Sequence, residues 1–396
     1  MAEKTTGAES ILLSEGRFAR FEAIQWWQQS LLSDARVLVV GAGALGNEVI
    51  KNMALLGVGN LLIADMDVVE SSNLTRSVLF RPGDEGKPKA AIAARAAGEL
   101  YPQIRAVPLV GNVLSDLGLG CFRWAQVIVG ALDNREARVF VNACCAQASR
   151  PWIDGGIEVL SGIVRGFATP QSACYECTMG QADWDLLAKR RSCSLLARMA
   201  LREGGTPTTP TTASVIGAIQ AQEVLKRLHG LDCLAGSGYV FEGLTHNSYS
   251  VRYPISPQCP WHEPQPPIEV AEHWNCDTPV REIWDWAAGR LGPLDAIDLS
   301  RELVESLRCP SCDRQQRVLQ PIDRISAEQA LCRKCRAEMT PQFLHSLGPD
   351  SALLDLSVRQ LGLPMWDVVW ARSKDAMLGV ELTGDRSAVL ANHPET

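Results

Sequence analysis

Apolar runs alternate with stretches of helical period through the first 150 residues. VLVV at 37–40 leads into a glycine-rich turn and then a helix through about Leu56. LLIAD (61–65) is a second apolar run, and KPKAAIAARAAGEL (87–100) is alanine-rich and helical. QVIVGALD (126–133) predicts another buried strand, and REARVFVNACCAQAS (135–149) another helix. Residues 17–32, ahead of all of these, read as an amphipathic helix. Short continuous apolar strands are buried on both faces, so this alternation predicts a doubly wound, mostly parallel α/β sheet. Ligands in such sheets sit beyond the carboxyl ends of the strands, and GALD is such an end.

The pattern changes near residue 152. GIVRGFAT reads as a short strand and is followed by a polar stretch, 181–210. A helix over 211–229, capped by Thr211 or Thr212, and strands in YVFEGL and NSYSVRYPI come next. SPQCPWHEPQPP (256–267) holds five prolines and reads as a boundary. The expected division is residues 1–265 and 266–396. The second part is a smaller α+β unit with a helix around Trp284 and Trp286 and strands near its end.

Composition narrows the classes. The net charge is −7 with no basic run, which argues against nucleic acid as a partner. No stretch approaches a membrane span and the first residues are polar, so the expected location is the cytoplasm. Thirteen cysteines in a reducing compartment, several at Cys-x-x-Cys spacing, point to metal rather than disulfides.

Gly41, Gly43 and Gly46 spell G-x-G-x-x-G after the first strand, with Ala44 inside the loop. Such a loop lets backbone approach phosphates at a helix N-terminus, for a dinucleotide or for ATP. Asp65 sits where either would want an acid for ribose. The following residues separate the two. DMDVVESSNLTR and GKPKA bring Asp67, Asn73, Arg76 and Lys89 close behind Asp65. Amides and cations there suit a triphosphate, whose charge must be offset before an oxygen attacks the α-phosphorus. Asp133, beside Asn134 in ALDN, is placed to hold a Mg²⁺ ion.

RFAR, GAGALGNE, DMD..ESSNLTR, GKPKA and ALDN, in that order, resemble the adenylation domain of E1-like enzymes. That family includes ubiquitin-activating enzymes and the ThiF- and MoeB-type enzymes of thiamine and molybdopterin pathways. The whole chain is similar to E1-like proteins of bacterial ubiquitin-like conjugation operons, to which an antiphage role attaches by analogy. The resemblance implies a Rossmann-like adenylation domain using ATP and Mg²⁺. Gly41, Gly43, Ala44, Gly46, Asp65, Asp67, Asn73, Arg76, Lys89, Asp133 and Asn134 would bind the nucleotide. Arg20 would reach the triphosphate of a neighbouring subunit, which implies a homodimer. The substrate would be the C-terminal glycine carboxylate of a ubiquitin-like protein.

The candidate acyl acceptor is Cys193, in KRRSCSLLAR, where Lys189, Arg190 and Arg191 favour the thiolate. Similar proteins carry the acceptor on a mobile crossover, here about 181–212. Cys121, Cys144, Cys145 and Cys233 read as small apolar residues, and Cys276 stays undecided.

Cys174 and Cys177 are half of a tetrahedral site. The resembling family supplies a second half after the last strand, where this chain reads QCPWH, so Cys259 and His262 complete the expected set. Cys309, Cys312, Cys332 and Cys335 form a zinc-ribbon pattern with 19 residues between the pairs. Both sites are expected to be structural zinc. Residues 266–396 lie where ubiquitin-type E1 enzymes recruit the E2-like carrier. The rival readings are a sulfur-carrier adenylating enzyme without thioester transfer, an NAD-dependent oxidoreductase and a non-catalytic scaffold.

Overall fold

A computed structural model describes residues 15–192, 194–200 and 207–391. The glycine loop, DMD and ALDN all come to the carboxyl ends of parallel strands in an eight-stranded sheet. A short helix α1 (Gln29–Ser33) precedes β1 (Arg36–Val40), which leads through the glycine turn into α2 (Ala44–Leu56) and then β2 (Asn60–Asp65). There follow α3 (Lys89–Leu100), β3 (Arg105–Val110), α4 (Val113–Asp116), α5 (Leu119–Trp124), β4 (Val127–Gly130), α6 (Arg135–Gln147) and β5 (Trp152–Glu158). These five strands pair in parallel in the order β3-β2-β1-β4-β5. β6 (Ser161–Phe167), β7 (Ser237–Glu242) and β8 (Asn247–Arg252) extend the sheet antiparallel.

Alternation along the strands explains the two layers. Val37, Val39, Leu61 and Ile63 face one core with α2 and α3, while Leu38, Val40, Leu62 and Ile128 face the other with α5 and α6. All eight are essentially fully buried. The helix α9 (Pro210–Leu228) packs on the first layer through Ile216, Ala221 and Val224.

Between β6 and α9 the chain crosses over through α7 (Gln181–Ser192) and α8 (Leu195–Ala200). β9 (Ile268–Ala271) and α10 (Val280–Leu291) open the remainder, followed by β10 (Ala296–Arg308), β11 (Gln315–Pro321) and β12 (Thr340–Leu347). Then come α11 (Val358–Leu361), β13 (Val368–Arg372), β14 (Met377–Leu382) and α12 (Arg386–Leu390). The second sheet runs β11-β10-β13-β14-β9, with β12 also on β10. It covers the α5–α6 face of the first sheet. Trp366, Val368, Trp370, Val389 and Leu390 complete that face's core.

The contact is close. A Cβ on Gly120 would lie 2.3 Å from the Trp366 ring, and Gly120 N–H donates to the Trp366 carbonyl at 3.0 Å. Buried charges at this junction are paired, as desolvation requires. Arg301 donates to the carbonyls of Leu114 and Leu117 at 2.9 Å each and pairs with Asp367. Asp367 also accepts from Leu119 N–H, and Arg123 pairs with Glu381 at 2.6 Å.

Two expectations are corrected, and one strand was not expected. Residues 17–27 form successive turns bonded three residues apart, not a helix; only Gln29–Ser33 is helical. A three-residue step lets Phe18 stand against Gly57 and Tyr101 while Trp27 packs on Phe21, which a 3.6-residue period would not. The cap of α9 is Thr209, whose hydroxyl accepts from Thr212 N–H at 3.3 Å, with Pro210 in the first turn where its missing N–H costs nothing. The strand β3 lacked a sequence signal because Pro108 interrupts it; it tolerates the proline as the sheet's edge.

Because the two sheets share one core, Trp366→Ala is expected to destabilise the whole chain by about 3–5 kcal/mol. Denaturant unfolding followed by both fluorescence and circular dichroism should show it; a loss below about 1 kcal/mol would contradict a shared core.

Candidate active site

The first turn after β1 is set by sterics. Gly41 has φ +100°, and a Cβ there would sit 2.3 Å from the Ala131 carbonyl oxygen. A Cβ on Gly46 would come 1.9 Å from the Gly41 oxygen, so α2 starts hard against the loop. Gly43 differs: no atom lies within 4 Å of its missing Cβ, which leaves open space at the helix N-terminus. Buried Asn47 fixes the loop from behind, donating to the Ala42 and Gly43 carbonyls at 2.7 and 3.1 Å and accepting from Leu79 N–H. Backbone N–H groups and open space at one helix end suit an anion.

Asp65 ends β2 directly beside this loop. Its carboxylate accepts from Ala42 N–H at 2.7 Å and Asp67 N–H at 2.8 Å. Burial pushes its carboxyl above the usual range, against the pull of those two bonds and of Lys89. Lys89 pairs with Asp67 at 2.8 Å. Asn73 is buried in a capping arrangement with Glu70, and Arg76 donates to the Ser72 carbonyl. Asp133 and Asn134 follow β4, and Asn134 caps α6 by accepting from Ala137 N–H. Gly41, Gly43, Ala44, Asp65, Asp67, Asn73, Arg76, Lys89, Asp133 and Asn134 line one cleft of about 1090 Å³. That is at the upper end of the ~300–1,000 Å³ common for small-molecule pockets. Gly46 is packed behind the lining, and Arg20 is exposed outside it.

The cleft continues across β5, β6 and β7, lined by Gly156, Ile157, Ile163 and Val240, to Leu195 of the crossover and Ile322 and Ile325 of the second sheet's loop. Its wall holds a group the sequence did not signal. Asp154, fully buried, binds Arg138 at 2.9 Å and Arg165 at 3.0 Å, and Arg138 also donates to the Leu132 and Gly155 carbonyls. This triad fixes the ALDN loop relative to β5. Its members come from three elements, so no local motif announces it.

Both predicted metal groups are assembled. Cys309 and Cys335 have sulfurs 3.4 Å apart, Cys312 and Cys332 3.6 Å, and Cys312 and Cys335 3.8 Å. Four thiolates at about 2.3 Å from a tetrahedral Zn²⁺ stand roughly 3.8 Å apart, so the set fits zinc. Cys174 lies 3.8 Å from Cys177 and 3.5 Å from Cys259, and Cys177 Sγ lies 3.1 Å from His262 Nε2. His262 Nδ1 faces the Pro170 carbonyl at 3.2 Å, which fixes the tautomer that leaves Nε2 free to ligate. Both sets have four protein ligands and therefore no open position.

Cys193 lies outside the described residues. Burial pushes the thiols of Cys121 and Cys144 up to about 12 and raises Cys145 as well. Cys276 is also pushed up to about 12, by burial and by its hydrogen bond to Asp385. All four are buried, and Cys276 also accepts from Arg359 at 2.6 Å. Cys233 is half-buried.

A doubly wound sheet with a glycine turn and a cluster of acids, an amide and cations at its strand ends has the form of a nucleotide-binding site. Residues 16–261 match the ThiF family, and the chain belongs to that family of E1-like adenylating enzymes. It is 34% identical over 193 residues to a Nedd8-activating enzyme E1 catalytic subunit of Drosophila melanogaster, covering 45% of this chain and 43% of that one. To the NEDD8-activating enzyme E1 catalytic subunit of Saccharomyces cerevisiae it is 37% identical over 155 residues, covering 37% and 52%. The chain thus spans about half the length of these relatives. The E. coli MccB structure with ATP shares the fold with TM-score 0.52 at 21% identity, over 63% of this chain and 74% of that one. Among the described residues no helix is long and apolar enough to cross a membrane.

Elemental analysis of the purified chain is expected to find two zinc ions. Cys174→Ser and Cys312→Ser should each lower the count to one; a count unchanged by either would remove that site.

Proposed function

We propose that this chain activates a ubiquitin-like protein ending in glycine. The glycine carboxylate attacks the α-phosphorus of ATP, forming an acyl-adenylate and releasing pyrophosphate. The Cys193 thiolate then attacks the acyl carbonyl, forming a thioester and releasing AMP, and an E2-like carrier receives the acyl group by thiol exchange. The observation that carries this reading is one continuous cleft. It starts at the glycine loop and runs over β5–β7 to the segment that follows Cys193. A nucleotide fits its first half and an extended tail its second.

In this reading Asp65 holds the ribose, and Asn73, Arg76 and Lys89 hold the phosphates. Asp133 would hold Mg²⁺, which would supply neutralisation of the charge on the departing pyrophosphate, and Asn134 would line the nucleotide site beside it. Lys89 is already pre-positioned by Asp67. Arg20, exposed and outside its own cleft, is available to the triphosphate of a second copy in a homodimer. Residues 1–265 form the adenylating unit, and 266–396 a zinc-bearing unit that receives the E2-like carrier. The setting is the cytoplasm and a bacterial ubiquitin-like conjugation operon with an antiphage role.

The assay is pyrophosphate exchange, with and without a glycine-ended ubiquitin-like protein. Lys89→Ala and Asp133→Ala are expected to lower partner-dependent exchange by about 10²–10³-fold. Cys193→Ala should keep the exchange and lose the reductant-sensitive protein adduct, whereas Cys276→Ala keeps both. Exchange with no adduct in the wild type would favour a sulfur-carrier adenylating enzyme. Full exchange in the Lys89 and Asp133 variants would reject the adenylation site itself.

A further inference from the structure

The crossover between β6 and α9 is fastened at both ends to the first sheet. At its start Asp183, in the first turn of α7, pairs with Arg135 at 2.9 Å. At its finish Val159 N–H donates to the Pro207 carbonyl at 2.7 Å, and the Thr209 hydroxyl donates to the Val159 carbonyl at 3.1 Å. Between these points it is held by the other half of the molecule. Leu195 is 3% exposed and packs among Val304, Leu307, Cys309, Ile325, Cys332 and Met339. The adjacent Leu196 N–H, free in the first turn of α8, donates to the Glu338 carboxylate at 2.8 Å. Glu338 lies three residues after the ribbon's last cysteine.

Leu195 therefore has two settings at once. It lines the cleft beside Ile325, and it is part of the small core that two metal-ligating cysteines, Cys309 and Cys332, help to build. This core is separate from those of the two sheets. Its cysteines sit on short loops, so the ligand set and the leucine pocket are one object: what holds the four sulfurs together also shapes the seat for Leu195.

We propose that the Cys309–Cys312–Cys332–Cys335 ribbon is a positioning device for the segment that follows the acyl acceptor, seating Leu195 and capping Leu196 at the cleft wall. The proposal rests on Cys193 being the acceptor. Two residues of extended chain span about 7 Å at most, so fixing Leu195 at the cleft wall limits how far that thiol can stray. Adenylation is carried out by groups on the first sheet and, with the partner at saturation, does not require this seat. Thiol attack does, because a nucleophile must lie near 3–3.5 Å from the acyl carbon.

The test uses the full chain and two variants. Cys335→Ser removes a ribbon ligand, and Glu338→Ala leaves all four ligands in place but deletes the cap. Zinc content and amide hydrogen exchange over 194–200 are read without any substrate. Pyrophosphate exchange and thioester formation are then read with the partner present. In Cys335→Ser the zinc count is expected to fall by one and exchange over 194–200 to accelerate, while α9 stays protected. Its thioester rate should fall on the order of 10²-fold with pyrophosphate exchange within about twofold of wild type. Glu338→Ala should keep the zinc, accelerate the same amides and slow thioester formation by about fivefold.

Unchanged exchange over 194–200 in both variants would overturn the proposal, as would equal loss of adenylation and thioester formation, which marks mere structural support. A wild type that adenylates without a Cys193 adduct would fail the acceptor reading and the positioning role together. Unchanged exchange over 194–200 beside a normal wild-type adduct would fail the positioning role alone.

Discussion

The carboxylate of Asp65 holds two loops in one geometry, and the cleft depends on it. One oxygen accepts from Ala42 N–H in the glycine turn and the other from Asp67 N–H after β2. The first bond ties the end of β2 to the end of β1 just past their last paired residues, and the second turns the chain after β2 back onto the same carboxylate. Holding a charge at a buried position is costly unless it is hydrogen-bonded, and the two amides supply that compensation. Gly41 and Gly46 make the approach sterically possible; Asn47 backs it; Lys89 and Asp67 extend the fixed geometry outward. The resulting surface keeps one helix end open beside a cationic cluster, which is what an anionic ligand needs.

From that anchor the remainder of the molecule follows in layers. The parallel strands carry the loops, and the buried Arg138–Asp154–Arg165 triad sets the ALDN loop against β5. The second sheet is no loose appendage. Trp366 and its neighbours fill one face of the first sheet, and Arg301 and Asp367 satisfy carbonyls and an amide that would otherwise be stranded. This rigid docking puts the ribbon within reach of the crossover. The crossover is thereby bordered by the first sheet's elements on one side and the ribbon on the other.

Much of this was legible in the chain because the requirements are local. A glycine turn needs its glycines at set offsets, strand ends carry their acids next to them, and Cys-x-x-Cys pairs report ligand spacing directly. His262 joined Cys259 because the resembling family carries its second ligand pair after the last strand, where this chain reads QCPWH. What stayed hidden depends on distant partners. Residues 17–27 carry a helical apolar pattern, yet the docking of Phe18 and Trp27 overrides it. Pro108 masked an edge strand. Asp154 reads as an ordinary acid until β6 and α6 bring two arginines to it. The contact of Leu196 with Glu338 spans 142 residues, and no periodicity encodes it.

The central claim is that the strand-end cluster holds a magnesium-bound triphosphate and not a nicotinamide dinucleotide. Isothermal titration of the full chain with ATP, in the presence and absence of Mg²⁺, and with NAD⁺ tests it most directly. Saturable ATP binding that weakens without Mg²⁺, and no heat from NAD⁺, is the predicted result. Saturable NAD⁺ binding with none for ATP would contradict it.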